Sequence, residues 1–296
     1  MDQQHPNTPV YDRSVEDVGN IVEFGHVNVR VPDQQIATLF YVSGLGLTRD
    51  PYLMTSTDNM WMNVGTSQFH LPTGQPQVVR GVTGIVVPDL AATLQRLGRV
   101  RAKLGHTQFA YAERDGAVEV TCPWGNRLRL HAPDPRFGPI VLGIPYVELD
   151  APAGSLEAIV RFYREVMAAV ANVASDGKGR HARVGAGDTA LIYRETEAEQ
   201  PLYDGNHIQI SLADFSGPHR KLRERGLITE ESDQHQYRFV SVIDVDSGDV
   251  LVDVEHEVRS MRHPLYARPL VNRNAAQTNM QFARGREVQA WSALLD

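Results

Sequence analysis

Two stretches far apart in this chain follow the same plan. Residues 24–33, FGHVNVRVPD, alternate as a strand does and run into QQIATLFYVSGLGL, where Ile36, Leu39 and Phe40 mark one helical face and Gly44 and Gly46 end it. Residues 144–170 repeat the order, IPYVELDAP as the extended part and LEAIVRFYREVMAAV as the helix. The two helices share a Phe-Tyr pair, Phe40-Tyr41 and Phe162-Tyr163, and strands follow each, MWMNVGTSQFHLP and HARVGAGDTALIYRE. Each half then opens a second strand and a Leu-containing helix closed by glycine, RGVTGIVVPDLAATLQRLG (80–98) and GNHIQISLADFSGPHRKLRERG (205–226). Each half closes on a strand pair with glycine in its turn, VEVTCPWGNRLRLHAPD and FVSVIDVDSGDVLVDVEHE. The chain thus reads as four copies of one unit, grouped two and two, and a repeat of this kind restricts the fold more than any composition does.

Length agrees, since 296 residues exceed the usual size of a single core and suit about two domains. A formal charge of -7 with scattered Lys and Arg gives no electrostatic reason to expect nucleic acid. A single cysteine, Cys122, excludes an intrachain disulfide and suits a reducing compartment. The first residues, MDQQHPNTPVYDRSVEDVGN, lack a basic start and an apolar core, and no apolar run approaches the ~18–20 residues of a membrane span. These features lead us to expect a cytoplasmic protein with no membrane or nucleic-acid partner, a flexible arm over residues 1–21, and a possible homodimer.

The βαβββ order, with FY...GLGL after the first strand and a PWGNRLRL turn before the last, resembles the vicinal oxygen chelate superfamily. That superfamily includes glyoxalase I, bleomycin and fosfomycin resistance proteins and extradiol ring-cleaving dioxygenases. The resemblance spans about residues 22–257. It implies an α+β fold of two tandem glyoxalase-like domains, 22–135 and 142–257, each a pair of βαβββ units, with a C-terminal tail, 258–296, packing on them. Fold alone does not fix the chemistry.

The resemblance also implies four kinds of metal-ligand position: the first strand of a domain, the strand after its first helix, the strand opening the second unit, and the last strand. In domain 1 these fall on His26, His70, Val82 and Arg129, of which the last two cannot hold a cation. In domain 2 they fall on Tyr146, on Ala190 or Ile192, on His207, and on Asp253 or Glu255, which share one strand face. Glu255 is preferred for its longer reach. The losses are complementary, and in glyoxalase-like members a site takes two ligands from each domain. The expected site is therefore His26, His70, His207 and Glu255, with a divalent ion such as Fe, Mn, Ni, Co or Zn. The counterpart with Tyr146, Val82 and Arg129 would be dead.

Such an ion would chelate two adjacent oxygens of a small-molecule substrate. A base would also be needed, for which His235 and Tyr237 in DQHQYRF are the candidates. Bland alternatives stand beside these readings. A lone strand histidine is more often structural than ligating, Met60, Trp61 and Met62 more often line a core or cavity wall, and Arg129 and Arg194 suit solvent. His256 and Glu257 are expected as solvated rim residues. HPLYARPL, residues 263–270, reads as an extended strap, with a lid as its functional version. Three functions compete: a metal-dependent lyase or isomerase of glyoxalase type, an extradiol-type dioxygenase with its site in domain 2, and a metal-free drug-sequestering protein. Tyr146, where an extradiol site needs its first histidine, counts against the second.

Overall fold

The computed structural model describes residues 11–53 and 56–273. Residues 1–10 of the expected N-terminal arm and residues 274–296 of the tail lie outside the described residues.

The first repeat contains β1 (Ile21–Asn28), a helix that starts as α1 (Gln34–Ala37) and continues as a π-helical turn (Thr38–Gly44), then β2 (Thr48–Arg49), β3 (Asn59–Val64) and β4 (Ser67–Pro72). The second contains β5 (Gly81–Val86), α2 (Leu90–Leu104), β6 (Ala110–Arg114), β7 (Ala117–Thr121) and β8 (Arg127–His131). The third has β9 (Tyr146–Pro152), α3 (Leu156–Glu165), β10 (Ala171–Asp176), β11 (Gly179–Ala186) and β12 (Thr189–Thr196). The fourth has β13 (His207–Leu212), α4 (Ser216–Glu224), β14 (Ile228–Asp233), β15 (Gln236–Ile243) and β16 (Val250–Ser260). Asp33 and Asp89 cap α1 and α2 by accepting backbone N–H groups of the first turn, each side chain satisfying donors the helix cannot.

Hydrogen bonding joins these repeats in an order that the chain's two halves do not follow. One 8-stranded sheet runs β14-β15-β16-β13-β1-β4-β3-β2, uniting the first repeat with the fourth. The other runs β10-β11-β12-β9-β5-β8-β7-β6, uniting the second with the third. At each seam the opening strands lie antiparallel, β1 on β13 and β9 on β5, with the last strand of each repeat parallel to its own first.

Strand alternation sorts the side chains. On β13, Ile208, Ile210 and Leu212 are fully buried on the helix-covered face, while His207, Gln209 and Ser211 share the other. On β16, Val254, His256 and Val258 take the helix side and Glu255, Glu257 and Arg259 the polar side. The Phe-Tyr pairs of the two sequence-similar helices, Phe40-Tyr41 and Phe162-Tyr163, are wholly buried, with Phe40 edge-on to Tyr41 and Tyr41 tilted against Phe69 between helix and sheet. Burying each aromatic of this size contributes roughly 2–3 kcal/mol before entropy is counted. The apolar alternate of every central strand is thus spent on the helix layer. The polar alternate faces away from the helices on each sheet.

Candidate metal centre and its counterpart

On the first sheet, His26 and Asn28 of β1 sit opposite Gln209 and His207 of β13, and opposite Gln68 and His70 of β4. The pairing places His26, His70 and His207 on one face across three adjacent strands. One ligand atom from each lies within 4.8 Å of the other two. His26 Nε2 and His207 Nε2 are 3.4 Å apart. His26 is 1% exposed and His207 is buried as well, whereas His70 is partly exposed.

His70 is held by its surroundings. Its ring stacks on Trp61, centroids 3.7 Å apart, and its Nε2 lies 2.6 Å from Asn59 Oδ1. Asn59 can only accept there, so Nε2 carries the proton and Nδ1 keeps its lone pair, to which Asn28 Nδ2 donates at 2.7 Å. Burial pushes the His70 imidazole down to about 3 and that of His26 well below its ordinary value, so both are neutral near pH 7, and an ion held by His70 would take its Nδ1 lone pair in place of the Asn28 donor.

The carboxylates divide by register. Glu255 pairs with His207 across the β13–β16 ladder, whereas Glu257 pairs with Gln209, itself opposite His26. Glu255 Oε1 reaches His207 Nδ1 at 3.3 Å, on the outer side of that ring. Glu257 Oε2 lies 3.5 Å from His207 Nε2, the nitrogen that faces His26. Glu257 is not a rim residue, and neither is His256: their exposures are 3% and 0%. His256 points to the helix layer, stacking on Phe239 and bonding Tyr163 Oη. Burial alone would raise the Glu257 carboxyl, but the bond to His207 and the charges of Arg259 and Arg238 hold it well below the usual carboxylate range. Arg238 bridges both carboxylates, Nη1 to Glu255 at 2.5 Å and Nη2 to Glu257 at 2.6 Å, and Arg259 Nη2 lies 2.6 Å from the other Glu257 oxygen. Asp253 is taken by Ser241 Oγ at 2.8 Å.

Neither candidate base is at this cluster. Tyr237 is buried on the helix-covered face, packed on Phe215 and His219, because Arg238 takes the polar side of β15. His235 sits in the β14–β15 turn. Sequence reasoning missed Glu257, Arg238 and Arg259. The β15–β16 ladder carries register shifts between Phe239 and Ser241 and between Val242 and Ile243, so counting residues from the turn does not give the cross-strand partner.

The strap covers the site. Leu265, Arg268 and Leu270 close over His26, Gln68, Gln209 and Arg259 and leave a space of only about 20 Å³. Arg268 Nη2 bonds the fully buried Asp50 Oδ2 at 2.6 Å, the Ala267 N–H donates to Glu23 Oε1, and Asn63 Nδ2 donates to the Val271 carbonyl.

On the second sheet the equivalent positions carry other chemistry. Val82 pairs with Glu148 as His207 pairs with Asn28, and Gly84 pairs with Arg129 as Gln209 pairs with Glu257. Tyr146, Ile192 and Arg129 therefore stand where the first sheet has His26, His70 and Glu257. Arg194 is not a solvent-facing arginine, since it is ion-paired with Asp176 at 2.8 Å and Glu148 at 3.2 Å.

No protein-family model and no curated protein matches the sequence. Solved structures do match by shape. Glyoxalase I from Zea mays aligns at TM-score 0.56 and 14% identity, covering 80% of this chain and 92% of that one. A single-site variant of that enzyme gives 0.54 at 14% identity, with 80% and 92% covered. A Bacillus subtilis protein provisionally named a dioxygenase gives 0.52 at 18% identity, covering 81% and 86%. No helix among the described residues is long and apolar enough to cross a membrane. With four βαβββ repeats, two mixed sheets and these structural relatives, the chain has an α+β fold of the tandem glyoxalase-like kind.

Proposed function

We propose that the protein is a metal-dependent enzyme of the vicinal-oxygen-chelate type, holding one divalent ion on His26, His70 and His207 with Glu257 as the carboxylate. The observation that carries this reading is the meeting of three imidazoles from two distant repeats, their ligand atoms within 4.8 Å of one another. Neutral nitrogens and one carboxylate fit Fe, Mn, Ni, Co or Zn better than a hard oxygen-seeking cation. When bound, the ion supplies Lewis acidity toward two adjacent oxygens of a small substrate.

The chain's own residues prepare that chemistry. Trp61 and Asn59 fix the plane and tautomer of His70, the support that a ligating imidazole ordinarily has. Arg238 and Arg259 keep Glu257 ionised in a buried place. Glu255 and Glu257 are balanced by these two arginines, so a dication would leave the site positive. That charge favours a substrate that is anionic or becomes so on binding, as an enediolate-forming lyase or isomerase reaction and catechol ring cleavage both require. The strap must move for such a molecule to enter.

The same two arginines favour a second reading, a metal-free binding protein, because the buried carboxylate already has cationic partners. Metal analysis decides between them. The expected result is one divalent ion per chain, lost in both His26→Ala and His207→Ala. Stoichiometric metal kept by both variants sinks the shared site, and a wild type that takes up no divalent ion turns the assignment to the binding protein. Turnover of catechol-type substrates with and without dioxygen then separates dioxygenase from lyase.

A further inference from the structure

The second sheet was expected to carry a dead copy of the site. Its polar face instead borders a cavity of about 460 Å³, within the size range of ordinary small-molecule sites and far larger than the space beside His26. We propose that this cavity is a binding site for a small organic carboxylate, held by Arg129 and Tyr146 at its floor and by Arg183 at its edge.

The floor begins with a glycine. A Cβ on Gly84 would lie 2.5 Å from the Tyr146 ring, so the missing side chain is what lets that ring lie flat across β5. Tyr146 Oη is 2.9 Å from His131 Nε2, and His131 Nδ1 is 3.4 Å from Arg136 Nη2. A guanidinium can only donate, so Nδ1 accepts, Nε2 carries the proton, and that proton goes to Tyr146 Oη. The tyrosine's own O–H is then free to donate into the cavity. Burial holds His131 down to about 4 and Tyr146 up to about 12, so the relay stays neutral through the physiological range.

The charges are unevenly matched. Arg194 and Lys178 lie within 4.0 Å of Glu148, and Arg194 of Asp176 as well, so these groups largely neutralise one another. Arg129 and Arg183 have no carboxylate within that distance among the described residues, and Arg129 Nε is buried without an acceptor. A buried guanidinium N–H with no partner is costly unless something supplies the oxygen, and a carboxylate matches a guanidinium with two parallel bonds. Phe137, Ile192 and Pro139 add apolar wall on the same cavity, which suits an acid with a hydrocarbon or aromatic body over a bare inorganic anion. Where the first sheet has a buried glutamate and imidazoles suited to a cation, the second has a guanidinium and a phenol suited to an anion.

Calorimetric titration of the full-length protein with benzoate, and separately with inorganic phosphate, tests this. Benzoate is expected to bind at one site per chain and phosphate more weakly. Arg129→Gln and Arg183→Gln are each expected to weaken benzoate by about tenfold, the worth of one charge-assisted contact. Arg183 is exposed, so its replacement leaves the fold intact even where that of Arg129 does not. Tyr146→Phe should weaken benzoate severalfold, and His26→Ala, which empties the metal centre, should leave benzoate affinity unchanged. Tighter binding of phosphate than benzoate overturns the carboxylate assignment. Absence of benzoate binding, unchanged affinity in Arg183→Gln, or loss of binding in His26→Ala overturns the site.

Discussion

His26 and His207 face each other through their Nε2 atoms at 3.4 Å although 181 residues separate them in the chain. The contact exists because β1 and β13 pair antiparallel at the seam of the first sheet, with His26 opposite Gln209 and Asn28 opposite His207. A single cation between the two nitrogens would be shared by the first and last repeats and by no others.

The two carboxylates should respond differently to neutralisation. Glu257→Gln leaves Arg238, Arg259 and His207 without their buried counter-charge and is expected to destabilise by about 3 kcal/mol. Glu255→Gln, at a more exposed position that shares Arg238, should cost roughly 1 kcal/mol. Urea unfolding of the two variants checks the order, and metal content should drop in the first and persist in the second.

Strap removal should unseal the centre. Arg268→Ala withdraws the cation from Asp50, whose Oδ1 is held by the Tyr52 and Leu53 N–H groups and whose Oδ2, among the described residues, otherwise meets Gln68. Metal-loaded Arg268→Ala is expected to surrender its ion to a chelator at least about tenfold faster than wild type, on the view that local opening limits escape. An unchanged rate would mean that the strap does not gate the site.

Stability should fall on the acid side through His131. Its pKa is depressed to about 4 in the folded protein, against about 6.5 in an unfolded chain. Between those values the unfolded state binds the extra proton, so the stabilisation is complete above pH 6.5 and is lost as pH falls toward 4. From pH 7 to pH 5 this one group should remove roughly 2 kcal/mol. In His131→Phe that share of the slope should vanish, which paired urea titrations at the two pH values would reveal.

Replacing Gly84 should disturb the second site and spare the first. Gly84→Ala drives a methyl into the Tyr146 ring and is expected to cost about 1–3 kcal/mol while weakening benzoate binding. Metal content should be unaffected. His235→Gln, in the β14–β15 turn, should leave both properties as they are.

Much of this was legible in the sequence because it is local. Strand alternation at FGHVNVRVPD and HIQISLAD, glycine stops after the helices and the Phe-Tyr pairs all follow from neighbours a few residues apart, and they were enough to find four repeats. The complementary loss of ligand types between the halves, Tyr146 against His26 and Val82 against His207, was also readable there. Parity along a strand could say that Asp253, Glu255 and Glu257 share a face.

Parity could not say which of the three meets His207 and His26. That depends on the register between β13 and β16 and on irregularities in β15, which are set by hydrogen bonds between segments about 50 residues apart. The same holds for Tyr237, assigned to the helix side by its partner strand, and for Glu257 and His256, which look like rim residues until the arginines and the helix layer close over them. The repeat, the alternation and the inventory of donors are all carried by local sequence. Long-range packing sets the rest: the first repeat joins the fourth, the strap lies over their imidazoles, and an open cavity remains on the other sheet. Side-chain alternation is a property of one strand, whereas sheet order and cover are chosen by packing across the whole molecule.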